Sequence, residues 1–130
     1  MHGQSAVDVT ELVKELLKDL SINSPILGAA IFSVEGLPFV SYFHTGMEDV
    51  SIAAMVASVY SAGEQTVREL RQGNLKSIII QGTLGTTLVI SVTEDYLLAV
   101  TAPENATLGL VFNDAKRASR EAARLLQELI

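Results

Sequence analysis

Cysteine is absent from this 130-residue chain, which excludes disulfides, thiolate nucleophiles and zinc knuckles. Histidine is almost absent. Of the two present, His2 lies at the start of the chain and His44 at the end of a strand-like run, and neither has partners at metal-ligand or catalytic-triad spacing. Basic residues are also few: 9 Lys and Arg stand against 15 Asp and Glu, for a net charge of −6. No clustered Lys and Arg gives the footprint that nucleic acid or an anionic membrane surface requires. Apolar runs stay well short of the ~18 residues that a membrane span needs, and no signal-peptide pattern opens the chain. The expectation is a soluble, unexported, cytoplasmic protein with no membrane insertion.

Apolar content is what remains in excess, at 48% hydrophobic against 18% charged residues. A single domain of this length buries a proper core, but not that much apolar surface, so self-association is expected. Residues 1–7 carry no periodic pattern and are read as a disordered lead-in, with one domain over 8–130. Asp8-Val9-Thr10-Glu11 reads as a capping box, after which Val9, Leu12, Val13, Leu16, Leu17 and Leu20 recur at helical spacing and stop before Asn23 and Pro25.

The run over 26–32 is apolar at nearly every position, as expected of a central strand covered on both faces. A turn at Val34-Glu35-Gly36-Leu37 leads into a strand over 37–43, which Pro38 assigns to a sheet edge. Residues 44–47 link to a long helix over 48–72. Strands over 77–81, 86–92 and 96–101 follow, joined at Gly82-Thr83-Leu84-Gly85 and Thr93-Glu94-Asp95. A final helix spans 106–128, its inner face carrying Leu108, Val111, Phe112, Ala115, Ala118, Ala122, Leu125, Leu126 and Leu129. Asn105-Ala106-Thr107 matches a glycosylation sequon, but Asn105 is read as the start of that helix.

This order, α-β-β-α-β-β-β-α, predicts an α+β fold: a three-layer α/β/α sandwich over a five-stranded antiparallel sheet. Strand 26–32 is placed beside 96–101 at the centre, with 37–43 and 77–81 at the edges. The second edge is uncharged and strongly β-prone at Ile78, Ile79 and Ile80, so pairing with its own copy is expected. Helix 48–72 carries Ile52, Met55, Val56, Val59, Gly63, Val67 and Leu70 on one side, assigned to the core. The opposite side carries Val50, Ala54, Ala57, Ser58 and Ser61, small uncharged groups that imply close approach of another backbone. The expected dimer interface is therefore Ala54, Ala57, Ser58, Ser61, Ile78, Ile79 and Ile80.

Catalytic, metal-binding and cofactor-binding residues are not found. Gly82-Thr83-Leu84-Gly85 joins two strands and lacks the following Lys-Ser or Lys-Thr of a phosphate loop. Glu48 and Asp49 read as a helix cap and dipole complement rather than an acid–base pair. Glu94 and Asp95 read as turn residues.

Gly28-Ala29-Ala30, Glu35-Gly36-Leu37-Pro38, Ala53-Ala54-Met55, Gly73, Leu97-Leu98-Ala99-Val100 and Leu108-Gly109-Leu110, taken in this order, resemble the Roadblock family of dynein light-chain-like proteins. The likeness spans nearly the whole chain, about 9–129, and is stronger to archaeal and bacterial members than to eukaryotic ones. It implies a profilin-like topology and a homodimer with sheets joined edge to edge and central helices side by side. It further implies a non-catalytic platform that regulates or scaffolds a Ras-like small GTPase. On that platform Ser58, Gln65, Arg68 and Gln72 are the polar groups best placed to meet the GTPase. Two other readings stand beside it: a structural subunit of a motor or signalling assembly, and a small-ligand sensor, for which no convergent polar cluster is found.

Overall fold

The computed structural model describes residues 5–43 and 48–127. Three helices and five strands follow in the expected order: α1 (Ser5–Asn23), β1 (Gly28–Ser33), β2 (Pro38–Phe43), α2 (Asp49–Glu69), β3 (Ser77–Gln81), β4 (Gly85–Ser91), β5 (Tyr96–Pro103) and α3 (Leu108–Gln127). The strands form one antiparallel sheet in the order β2-β1-β5-β4-β3. The predicted centre and both predicted edges are therefore observed. β1 is buried on both faces over Gly28–Phe32 because β2 and β5 flank it and helices cover both its sides.

Alternation along the strands divides the interior into two cores. Ala29, Ile31, Leu88, Ile90, Leu98 and Val100 point to one side, where Val13 and Leu17 of α1 and Val111, Ala115 and Ala122 of α3 close over them. Ala30, Phe32, Val89, Leu97 and Ala99 point to the other, beneath Ala53, Val56 and Tyr60 of α2. The first core has two helices above it. The second has one.

Element ends depart from expectation where local chemistry allowed alternatives. α1 begins at Ser5, so Asp8 lies inside the helix and the capping-box pattern does not mark its start. No Pro or Gly separates Ser5 from the amphipathic run, and nothing stops the helix extending there. Of the expected lead-in, 5–7 are thus helical and 1–4, with His2, lie outside the described residues. His44 and the 44–47 link lie outside them too, as does Leu129. α3 starts at Leu108 rather than at Asn105; Thr107 takes the preceding position, its carbonyl accepting from Val111 N–H at 3.1 Å.

α2 ends at Glu69, earlier than Gln72. Its last turn closes as a Schellman motif in which Gln72 N–H bonds the Val67 carbonyl at 2.7 Å and Arg71 N–H the Arg68 carbonyl at 3.1 Å. Arg71 itself takes the left-handed conformation, with φ 55°, a place usually held by Gly. At the other end Glu48 occupies the cap position without a side-chain cap bond, and Asp49 accepts a 2.7 Å hydrogen bond from Ser41 Oγ of β2.

Gly28 marks a close approach between β1 and β2. A Cβ there would sit 2.9 Å from both the Phe43 Cα and the Tyr42 carbonyl oxygen, and backbone atoms cannot swing aside as a side chain can. Gly28→Ala is expected to destabilise the fold by about 1–3 kcal/mol, the usual range for forced overpacking. Urea denaturation checks this, and an unchanged midpoint would show that the β1–β2 pair can widen freely.

Candidate functional site

The surface that demands explanation lies along α2 and the adjoining edge strand. A five-stranded sheet is roughly 20 Å across, whereas one helix with its side chains is about 10–12 Å wide. α2 packs chiefly over β1 and β2, so β3 is only partly covered on this face. On that side Gly63 lies against β3: a Cβ added to it would be 3.0 Å from Ile78 Cδ1 and from Leu75 Cδ2. Val59 stands one helical turn before Gly63 on the same flank, and Met55 one turn before that. Met55 is 60% exposed and Val59 38%.

β3 continues this surface. Ile78 pairs with Val89 and Ile80 with Thr87, which places both on the α2 side of the sheet. Ile78 packs partly on the core beneath α2, while Ile80 is 42% exposed. Ile79 pairs with Leu88 and so faces the α1–α3 layer, at 45% exposure. Among the described residues no strand lies beyond β3, so its outer N–H and C=O groups form an open ladder.

This corrects the phase assigned to α2. Met55, Val59 and Leu70, expected in the core, are exposed; the inner face is Ala53, Val56, Ala57 and Tyr60. Small side chains do mark close approach of a backbone, but the backbone is the chain's own β1–β2 turn. Gly36, at φ 93°, brings that turn so near that a Cβ on it would lie 3.4 Å from Ala54 Cα and 3.6 Å from Ala57 Cβ. Ala57 is consequently buried within its own protomer, whereas Ala54, Ser58 and Ser61 remain exposed along a shallow groove shared with Val34, Glu35 and Gln65. Sequence reasoning missed Met55 and Val59. No periodic signal marks them, because nearly every position from Val50 to Val59 is apolar or small.

The four polar candidates are all exposed but do not form one cluster. Ser58 and Gln65 share the groove just described, and Ser58 Oγ donates back to the Ala54 carbonyl at 2.9 Å. Arg68 lies in a separate groove at the end of the helix with Tyr60, Glu64, Asn74, Thr93 and Glu94. Gln72 follows the left-handed Arg71, beyond the helix.

The Gly82–Gly85 segment is a hairpin turn, closed by Gly82 N–H to the Gly85 carbonyl at 2.8 Å. Thr93 Oγ1 accepts from Asp95 N–H at 3.1 Å and from Tyr96 N–H at 3.2 Å, fixing the β4–β5 turn that carries Glu94. Among the described residues no group of three or more His, Cys, Asp or Glu could hold a metal ion, and no helix is long and apolar enough to cross a membrane.

Fold and surface together define a class: a three-layer α+β module in which exposed apolar side chains on one flank of a helix adjoin an open strand edge. The chain belongs to the Roadblock/LC7 domain family, whose pattern matches residues 12–102. Uncharacterized protein MJ1340 of Methanocaldococcus jannaschii is 26% identical over 110 residues, 85% of this chain and 96% of the relative. Among solved structures, MglB with tetrameric arrangement is similar, with a TM-score of 0.88 at 22% identity, covering 94% of this chain and 93% of the other. The gliding protein MglB of Thermus thermophilus gives 0.86 at 22% identity and covers 92% of each. Profilin IA of Acanthamoeba castellanii shares the architecture more loosely, at 0.62 and 13% identity over 88% of this chain and 96% of the profilin.

Proposed function

We propose that the protein is a homodimeric platform, without chemistry of its own, that holds a Ras-like small GTPase. Two copies join through the β3 edges, and their α2 helices lie side by side above the join. The observation that carries this reading is the exposed Met55–Val59 flank beside the open β3 edge with Ile80. A second α2 supplies the cover that one helix cannot give this face of the sheet. Pairing β3 with its own copy also satisfies the unpaired ladder. A standard interface of roughly 800 Å² per partner is within reach of one helix flank and one strand. The tetrameric arrangement of the MglB structure and the resemblance to Roadblock proteins support an assembly of like chains.

The class of partner follows from the family resemblance, and its docking surface from the outer side of the paired helices. Ser58 and Gln65 face away from the sheet there, with Arg68 on the outer flank toward the Glu94 turn. Arg68 offers a planar fork of donors to an acidic surface, and truncating such an anchor costs about 2 kcal/mol, or about thirtyfold in affinity. Arg68→Ala is therefore expected to weaken GTPase binding about thirtyfold while the dimer persists. Calorimetric titration of the GTPase retained from native extract, in both nucleotide states, measures this. Unchanged affinity removes Arg68 from the interface; no binding by wild type in either state rejects the platform.

A further inference from the structure

A polar groove joins the C-terminal half of α2 to the α2–β3 connection and the β4–β5 turn. Its volume of about 430 Å³ falls at the low end of small-molecule sites, roughly 300–1,000 Å³. The most buried side chain lining it is Tyr60, 6% exposed and packed into the core beneath α2. A phenol at this depth ordinarily has a hydrogen-bond partner. Among the described residues Tyr60 has none. The partnerless hydroxyls that are closed off from solvent are those of Ser21, Ser24 and Thr101. Tyr60 is not one of them, so its hydroxyl opens on the groove that the residue lines.

Three charges line the same groove. Glu64 and Arg68 stand one helical turn apart with the acid first, the order that favours an ion pair, and Glu94 joins them from the β4–β5 turn. Among the described residues neither carboxylate pairs with Arg68. Thr93 adds a directed donor: its hydroxyl oxygen already accepts from the N–H groups of Asp95 and Tyr96, and among the described residues its own proton has no acceptor. Half-buried Val67 and Leu75 supply an apolar strip. Two carboxylates, one guanidinium and the carbonyl end of α2 suit a guest that carries an ammonium and a carboxylate together, and oppose a bare anion.

From this cavity, with an unpartnered Tyr60 hydroxyl and three unpaired charges on its walls, we propose that the groove binds a free α-amino acid with an apolar side chain. The ammonium of the guest meets Glu64 and Glu94, and its carboxylate meets Arg68 and the Thr93 hydroxyl. Tyr60 gains the hydrogen bond it lacks, and the apolar side chain covers Val67 and Leu75. No linear motif displays this set, because the β4–β5 turn meets α2 only in the fold. All of these groups belong to one protomer, so the site needs neither the dimer nor the GTPase proposed above. Arg68 is common to both surfaces and is therefore left intact in the test.

Titration of isotope-labelled protein with methionine, valine and phenylalanine in turn, followed by amide NMR, tests this. At least one should give saturable shifts at Asn74, Thr93 and Glu94. Its amide, which lacks the carboxylate, and its deaminated acid, which lacks the ammonium, should each bind roughly tenfold more weakly or worse. Glu64→Gln with Glu94→Gln, both at exposed positions, should weaken the amino acid by a similar factor and abolish its advantage over the deaminated acid. Tyr60→Phe keeps the ring in the core and removes the hydroxyl, and should weaken binding about fivefold, as loss of one hydrogen bond does. Circular dichroism checks that each variant is folded. No GTPase is present, so amino-acid binding without any GTPase binding rejects the platform and keeps this site. The proposal is overturned if none of the three gives a saturable shift, if the amino acid and its amide bind equally, or if the double Gln variant binds like wild type.

Discussion

Val59→Glu combined with Ile80→Glu should convert the protein from a species of twice the 13.9 kDa chain mass to a folded monomer. Both side chains are partly exposed in the single protomer, at 38% and 42%, so each new charge can be hydrated once the chains separate. In the proposed dimer the new charge on α2 is pressed against a partner helix and the one on β3 lies beside the strand join. Burying an unpaired charge costs several kcal/mol even after relaxation. Two per protomer, repeated by symmetry, outweigh the roughly 8–12 kcal/mol that separates a micromolar or nanomolar dimer from free chains.

Light scattering over a concentration series measures the result, and far-ultraviolet circular dichroism checks that the fold is retained. Leu110→Glu, at an exposed position near the start of α3, serves as the control and should leave the mass unchanged. A double variant that remains dimeric at micromolar concentration removes the α2–β3 interface. A wild type that scatters as a monomer at millimolar concentration removes the homodimer altogether.

Choice of these residues shows where sequence and structure part. Strand order was legible because each signal was strong: β1 is apolar at consecutive positions and so belongs at the centre, Pro38 belongs at an edge, and the two short turns at Gly82–Gly85 and Thr93–Asp95 force a meander. The phase of α2 was not legible. From Val50 to Val59 nearly every position is apolar or small, so helical periodicity leaves several faces equally fit for the core. Tertiary packing chose the side whose alanines admit the Gly36 turn and whose Tyr60 fills the gap beyond them. The edge isoleucines, by contrast, were recognised one by one, and only their division between the two sheet faces required the pairing register.

Phe32→Ala should be among the costliest single substitutions in the chain, and it should act on the α2 surface as well as on stability. The core beneath α2 is thin: Ala30, Ala53 and Ala99 supply little volume, so Phe32, Leu97 and Tyr60 carry most of the packing between helix and sheet. Phe32 is fully buried. Removing its ring is expected to cost about 3–5 kcal/mol, transfer and cavity together, against a total stability of about 5–15 kcal/mol for a domain. Leu17→Ala in the opposite core, also fully buried, should lose about 2–5 kcal/mol on the same grounds. What distinguishes them is the second effect. In the proposed dimer α2 presents Met55 and Val59 to the partner only as well as its own seat is fixed, so Phe32→Ala should also weaken dimerisation, whereas Leu17→Ala should leave the dimer constant near wild type. Urea denaturation at several protein concentrations, with sedimentation equilibrium on the folded proteins, separates the two terms, because dimer formation makes apparent stability depend on concentration. Equal dimer constants for both variants would mean that α2 is held in place without Phe32, and that its exposed flank is set by the Gly36 turn alone.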